Sequence, residues 1–338
     1  MSKKYYRPII TQPFANSSEA YKLADGWAYF TDVEVIQRDG KNSIIKAKKL
    51  PTKILNNLTA KRQNLLNLSF STPHVLGILN VTPDSFSDGG MFNDEDKAYV
   101  EFLKMMEFGA AIIDIGGEST RPGAEPVSVC EEIQRISPLL KKIRLSGIKL
   151  PISIDTRKAE VWDIARRLGA NMLNDISSLS YDKQMKQLIL EQNVPICLMH
   201  SKGVPKNMNL EATYDNVLLD VYDFLENVIK KCVDMGIPRK NIIVDPGIGF
   251  AKNLTHNLSL LRGISIFHGL GCPILLGASR KRFIKTISFE EDPLKLSSGS
   301  IAVALEALNQ GVQLLRVHDV YETMQALRLW RSIKMGSN

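Results

Sequence analysis

Between residues 75 and 318 the chain repeats one pattern eight times: a short run of Ile, Val and Leu stops on polar residues, and a stretch of helical periodicity follows. Gly77-Ile78-Leu79-Asn80 and Ile152-Ser153-Ile154-Asp155 are two such runs. The predicted strands span 75–81, 111–116, 151–156, 171–176, 195–200, 241–246, 273–277 and 313–318. Each is apolar along most of its length, as a parallel strand covered on both faces requires. Ser128 followed by Glu131 offers a capping box, and Gly109, Gly169, Gly236 and Gly311 fall where helices should stop. A doubly wound open sheet would alternate in the same way. Eight units with a polar residue closing every strand favour a closed α/β architecture instead, the TIM (β/α)8 barrel. In such a barrel the strand ends share one face, so Asn80, Asp114, Asp155, Asn174, His200, Asp245, Lys281, Arg316 and His318 should converge there.

The repeat leaves residues 1–74 as an N-terminal extension to a catalytic barrel of 75–338. Within it, 26–50 alternates apolar and polar positions around Asp39-Gly40, a hairpin signal. The extension either covers the N-terminal ends of the barrel strands or stands as a small flanking module, and the pattern leaves both open.

A chain of 338 residues, 44% of them hydrophobic, suits one barrel of roughly 250 residues plus this extension. The 43 Lys and Arg against 36 Asp and Glu are interspersed along the helices, so no nucleic-acid stripe is expected despite the net charge of +7. Cys130, Cys197, Cys232 and Cys272 lie in separate segments without C-x-x-C spacing, which argues against zinc and for buried thiols in a reducing compartment. The start of the chain is basic without the apolar core of a signal peptide, and no apolar stretch reaches membrane-spanning length. A cytoplasmic protein without a membrane partner is expected.

The strand ends carry the chemistry. The long polar loop Asn80-Val81-Thr82-Pro83-Asp84-Ser85-Phe86-Ser87-Asp88-Gly89-Gly90 has the position of a binding loop, and Asn80 offers a neutral oxygen to Mg²⁺ or simply caps the turn. In Asp114-Ile115-Gly116-Gly117-Glu118-Ser119-Thr120-Arg121-Pro122-Gly123 the paired glycines admit a ligand and Arg121 suits phosphate or carboxylate. Asp114 is expected to tie loops together by accepting backbone N–H bonds. Asp155, Asn174 and Asp245 each end an apolar strand, and buried carboxylates need donors. A pterin or guanine-like ring, with an exocyclic amine beside a ring N–H, supplies them, and Asn174 can serve the neighbouring edge. Lys281, Arg316 and His318, after the last two strands, suit a diphosphate, and a guanidinium there could also stack on a ring. Gly247-Ile248-Gly249-Phe250-Ala251-Lys252 matches no phosphate-loop spacing and is read as a turn that brings Phe250 near a ligand. Met199 is assigned to the pocket wall and His200 to loop positioning, whereas His74, His256 and His268 receive no role.

Taken in order, these motifs resemble the dihydropteroate synthase family over residues 75 to about 333, with Ser153-Ile154-Asp155-Thr156, Asn174-Asp175-Ile176, Asp245-Pro246-Gly247, Ser279-Arg280-Lys281 and Arg316-Val317-His318 carrying the likeness. The resemblance implies a TIM-barrel transferase that joins 6-hydroxymethyl-7,8-dihydropterin diphosphate to 4-aminobenzoate, giving 7,8-dihydropteroate and diphosphate. It implies that Asp155, Asn174, Asp245 and Lys281 hold the pterin beside Met199 and Phe250, with Arg316 on its face. It places Asn80, Arg121 and His318 around Mg²⁺ and diphosphate, and Phe86, Ser119, Thr120 and Pro122 by the aminobenzoate. Lys281, Arg316, His318 and Arg121 would then carry catalysis. A homodimer paired through the late helix 300–309 and inhibition by sulfonamides are implied as well. Ser201 and Lys202 stand where the family pattern suggests Met and Arg, and the first 74 residues extend beyond its usual bacterial start. A folate-dependent methyltransferase or a non-catalytic pterin-binding protein are the rival readings. The first has no use for diphosphate-binding cations, and the second has no need to keep Arg121 and Lys281 together.

Overall fold

The computed structural model describes residues 3–11, 19–82, 94–119, 124–203 and 212–335. Its larger part is a ring of eight strands: β5 (His74–Asn80), β6 (Ile112–Gly116), β7 (Ile152–Asp155), β8 (Met172–Asp175), β9 (Ile196–Met199), β10 (Ile242–Asp245), β11 (Leu275–Leu276) and β12 (Leu314–Val317). They pair in parallel in the order β10-β9-β8-β7-β6-β5-β12-β11. A parallel bridge from Val244 to Ile274 and the Val244 N–H donating to the Pro273 carbonyl at 3.0 Å join the two ends, so the sheet closes on itself. Around it run α2 (Asp94–Phe108), α3 (Val129–Leu145), α4 (Ala159–Arg167), α5 (Lys183–Gln192), α6 (Val217–Asp234), α7 (Leu254–Arg262), α8 (Arg282–Ser288), α9 (Ser297–Asn309) and α10 (Val320–Met335). This is the expected (β/α)8 barrel. All eight predicted strands are present; β5 is shifted one residue toward the N-terminus, and the other seven lie within their predicted spans.

Strand periodicity explains how the barrel is dry below and polar above. Ile112, Met172, Ile243 and Leu314 join Leu76, Cys197 and Leu275 in one buried cluster inside the ring. Two residues further along the same strands, on the same face, stand Asp114, Asn174, Asp245 and Arg316. The apolar floor therefore seats a polar layer directly over it.

The extension does two jobs. Strands β1 (Lys4–Thr11), β2 (Tyr21–Lys22), β3 (Tyr29–Gln37) and β4 (Ser43–Lys46) form an antiparallel sheet, with β1 on one edge of β3 and β2 and β4 sharing the other. The alternation around Asp39-Gly40 is the β3–β4 hairpin. This sheet lies on the barrel's flank: Tyr5 Oη donates to Asp223 on α6 at 2.7 Å, Ser265 Oγ to the Pro8 carbonyl at 3.0 Å, and Trp27 Nε1 to the Leu308 carbonyl at 2.7 Å. Trp27 also meets Trp330 of α10 edge-on, centroids 6.0 Å apart. After α1 (Thr52–Thr59), Leu65 and Phe70 turn under the barrel and complete the floor cluster. The flanking module and the cover are thus the same segment.

Helix ends follow local rules. Ser128 Oγ accepts from the Glu131 N–H at 3.2 Å, but the Glu131 side chain turns to Arg135, so only half of a capping box forms. A full box occurs instead at α7, between Asn253 and His256, which gives His256 a structural role that spacing had not shown.

Phe70 is 2% exposed against the strand ends, so Phe70→Ala should lower stability by about 3–5 kcal/mol in denaturant unfolding. Ile44→Ala, at a position 66% exposed on the flanking sheet, should change it by less than about 0.5 kcal/mol. Equal effects would deny Phe70 its place in the floor.

Candidate active site

Arg316, carried inward by β12, holds the centre of the polar layer. Its Nε donates to Asp114 Oδ2 at 2.6 Å and its Nη2 to Asp155 Oδ2 at 2.8 Å, while Asn174 Nδ2 reaches the same Asp114 oxygen at 2.9 Å. Asp114 is wholly buried and Asp155 is 4% exposed. Asp114 therefore does not tie loops through backbone N–H groups, as the sequence reading held; its partners are side chains inside the barrel. Burial raises the Asp155 pKa and the Arg316 charge opposes that rise. Burial alone would weaken the Arg316 charge, but Asp114 and Asp155 outweigh it. The second oxygens, Asp114 Oδ1 and Asp155 Oδ1, are buried with no hydrogen-bond partner among the described residues.

Across the ring, Asp245 Oδ1 accepts the Gly247 N–H at 2.7 Å. Burial raises its pKa, and Lys281 is the largest influence opposing the rise. Lys281 donates to the Ile248 carbonyl and lies 4.4 Å from the centre of the Phe250 ring. Burial pulls the Lys281 pKa down to about 8, with Asp245 holding it from falling further. The turn between them demands glycine: Gly247 has φ +70°, and a Cβ there would stand 2.0 Å from the His200 carbonyl oxygen.

The remaining candidates ring this centre. The Asn80 carboxamide lies over Gly116, its Oδ1 3.4 Å from where a Cβ would project, so a side chain at 116 would crowd it. Met199 is 3% exposed at the end of β9, in register with Asp245. His318 is linked to Ser279, whose Oγ accepts its backbone N–H at 3.2 Å and sits 3.1 Å from its Nδ1. Arg280 pairs with Asp319, which ties the loops after β11 and β12 together. Ser119 is half-buried beside Glu118. Phe86, Thr120, Arg121 and Pro122 fall outside the described residues.

Several groups escaped the sequence reading. Lys252 is buried with Nζ 2.9 Å from His200 Nδ1 and 2.9 Å from the Phe250 carbonyl, which it reaches as a donor. Burial lowers its pKa well below the usual lysine range. His200 is driven to about 2 by burial and by this neighbour, which leaves it neutral as a hydrogen-bonding post for the turn. Its strand-end position was legible; its partner, fifty-two residues on, was not. His268 and His74 bond the Gln310 and Ser69 carbonyls and serve the fold.

Removing the guanidinium should expose how the layer is balanced. Arg316→Met leaves two buried carboxylates uncompensated and should cost about 3–5 kcal/mol at neutral pH. The Asp155 pKa, already raised by burial, would then lose the opposing Arg316 charge and rise further above its unfolded value, so the folded state binds protons more readily and stability falls as pH rises. The deficit against the parent protein should be larger at pH 8 than at pH 5.5 in paired denaturant melts; a deficit independent of pH would contradict this balance.

Comparison with known proteins agrees with the geometry. A family model described as pterin binding enzyme matches residues 76–318. The dihydropteroate synthase of Escherichia coli (strain K12) is 45% identical over 263 residues, covering 78% of this chain and 92% of that protein. The dihydropteroate synthase of Bacillus subtilis (strain 168) is 44% identical over 75% of this chain and 86% of its own length. Among solved structures, Xanthomonas albilineans dihydropteroate synthase with 4-aminobenzoic acid superposes with a TM-score of 0.74 at 40% identity, over 79% of this chain and 94% of that one. The same enzyme in complex with 7,8-dihydropteroate gives 0.71 at 37% identity, over 79% and 95%. A closed barrel with this polar layer, matched to such relatives over most of both chains, means that the chain belongs to the dihydropteroate synthase family of pterin-binding enzymes.

Proposed function

We infer that this chain is a transferase of folate biosynthesis, condensing 6-hydroxymethyl-7,8-dihydropterin diphosphate with 4-aminobenzoate to 7,8-dihydropteroate and diphosphate. The observation that carries the reading is the pair of buried, unpartnered oxygens of Asp114 and Asp155 beside Asn174, Asp245 and Lys281. Such oxygens ask for donors, and the amidine edge of a pterin supplies them. Asp155, Asn174 and Asp245 would hold that edge, Lys281 the ring and Arg316 its face, with Met199 and Phe250 as walls.

The chemistry needs no strong base, because an arylamine nitrogen is already neutral at pH 7. The methylene carbon of the pterin loses diphosphate, whose oxygen takes the bonding electrons, and the amine nitrogen bonds to that carbon and then sheds a proton. Fixed cations favour the departing charge, which is the part assigned to Lys281, Arg316, His318 and Arg121. Ser279 supports the His318 assignment by fixing its ring, and Phe86, Ser119, Thr120 and Pro122 would line the aminobenzoate subsite. Among the described residues no three His, Cys, Asp or Glu side chains cluster as metal ligands. The neutral Asn80 oxygen fits Mg²⁺, which takes its other ligands from substrate phosphate and water and would supply charge against the diphosphate.

Pairing of two copies is proposed through α9, and in the connection before it Phe289 is 94% and Leu294 70% exposed. A cytoplasmic setting accords with Cys197, Cys232 and Cys272 being free, buried thiols; Cys130, expected to be buried with them, is free but exposed on α3. Among the described residues no helix is long and apolar enough to cross a membrane.

Diphosphate release should require both substrates and Mg²⁺ in a coupled assay, and sulfonamides should compete with 4-aminobenzoate; release without the amine would point to another reaction. Lys281→Ala should abolish turnover. Because the Lys281 ammonium is lost above about 8, kcat/KM for the pterin diphosphate should fall on the alkaline side with a midpoint near that value. Lys281→Arg should move this limb to higher pH. A profile flat to pH 9.5 in the parent enzyme would rule out a cationic role for Lys281.

A further inference from the structure

Behind the strand ends lies a second group of buried charges that the reaction does not use. Glu118, which follows β6, is 5% exposed, Arg157 7%, Lys158 5%, and Glu132 of α3 not at all. Arg157 Nε and Nη2 each donate to the Glu118 carboxylate at 3.3 Å. Lys158 Nζ lies 2.6 Å from Glu132 Oε2 and 3.4 Å from Glu118 Oε1. Two further bonds give the cluster its meaning. Glu118 Oε1 accepts the Val127 N–H at 3.2 Å, and Lys158 Nζ donates to the Val127 carbonyl at 2.8 Å. Glu118 and Val127 stand at opposite ends of the connection between β6 and α3, so both ends are fastened to one point. Arg135 adds a bond from α3 to the Gly117 carbonyl at 2.7 Å, and the Arg157 guanidinium lies 4.2 Å from the centre of the Tyr181 ring in the loop after β8.

We propose that Glu118, Arg157 and Lys158 are positioning residues: a buried ionic clasp that fixes Ser119, the next residue along the chain, and so sets affinity for the arylamine substrate rather than for the pterin. The proposal rests on the assignment of Ser119 to the aminobenzoate subsite. Two charges of each sign balance in a dry site, which is a costly arrangement for stability alone, since apolar residues of similar volume would pack there as well. A fixed geometry explains it better. The clasp holds one connection by both ends and makes no hydrogen bond or ion pair to Asp155, Asp245 or Lys281 among the contacts described, although the Glu132 charge acts on Asp155 from a distance.

The experiment uses the full chain, with initial rates at varied concentration of each substrate. Glu118→Ala should raise KM for 4-aminobenzoate about tenfold, the scale expected for a misplacement below 1 Å, and leave KM for the pterin diphosphate within about twofold. Glu118→Gln, which keeps an acceptor for the Val127 N–H, should recover part of the loss. If Glu118→Ala does not fold, the charge-balanced pair Glu118→Leu with Arg157→Leu is measured in its place. Equal changes in both KM values, or no change in either, would overturn the clasp while the parent's activity still upheld the functional reading. A parent enzyme that fails to condense the two substrates would remove that reading, and the clasp's assigned purpose with it.

Discussion

One guanidinium sustains the site. Arg316 lies between Asp114 and Asp155, two carboxylates that the barrel buries over an apolar floor, and its charge offsets the cost of burying them. The same contacts use up one oxygen of each carboxylate and leave the other without a partner among the described residues. Stabilisation and readiness to bind are therefore one arrangement: the layer is balanced enough to fold and under-satisfied enough to take up a ligand rich in donors.

Around that pair the enclosing loops are held by contacts between neighbouring strand ends. Ser279 and Arg280 after β11 meet His318 and Asp319 after β12; Glu118 after β6 meets Arg157 and Lys158 after β7; Lys252 after β10 meets His200 after β9. Each tie joins consecutive strands, the only neighbours a barrel offers its loops. Polar side chains at neighbouring strand ends thus fix where the loops that enclose the layer stand. The lowered pKa values of Lys252 and His200 follow from the same burial: two basic groups in contact in a dry site disfavour carrying two charges.

The fold and the centre of the site were legible because both depend on local periodicity. An apolar run that ends on Asp or Asn reports a strand end, and a residue two places behind it reports the floor; Asp245 over Ile243 is read in this way without a partner being known. What could not be read is pairing. Asp114 was assigned backbone N–H partners in the loops, yet a residue two hundred and two positions away donates to its Oδ2. Lys252 looked like the end of a turn for the same reason. That the extension serves both as cover and as flanking module was illegible too, since alternation in 26–50 reports a hairpin but not the surface it covers. Side chains such as Trp27 and Phe70 acquire their meaning from α9, α10 and the strand ends, all far along the chain.

The extension shows how a barrel can be supplemented without altering its chemistry. Its sheet fastens to α6 through Lys3, Tyr5 and Arg38, which share Asp220, Asp223 and Glu226. These ion pairs are partly exposed and individually weak, so adhesion falls to the buried apolar side chains Leu23, Trp27, Phe30 and Val33. Meanwhile Leu65 and Phe70 cover the strand ends opposite to those that bear Asp155 and Lys281. A barrel can accept such additions at its base because the reacting groups all project from the other end, and only the floor layer separates the two. In this chain that layer takes one side chain from every barrel strand but β7, and Phe70 packs in the same cluster as Ile243 and Leu314, which lie two residues before Asp245 and Arg316.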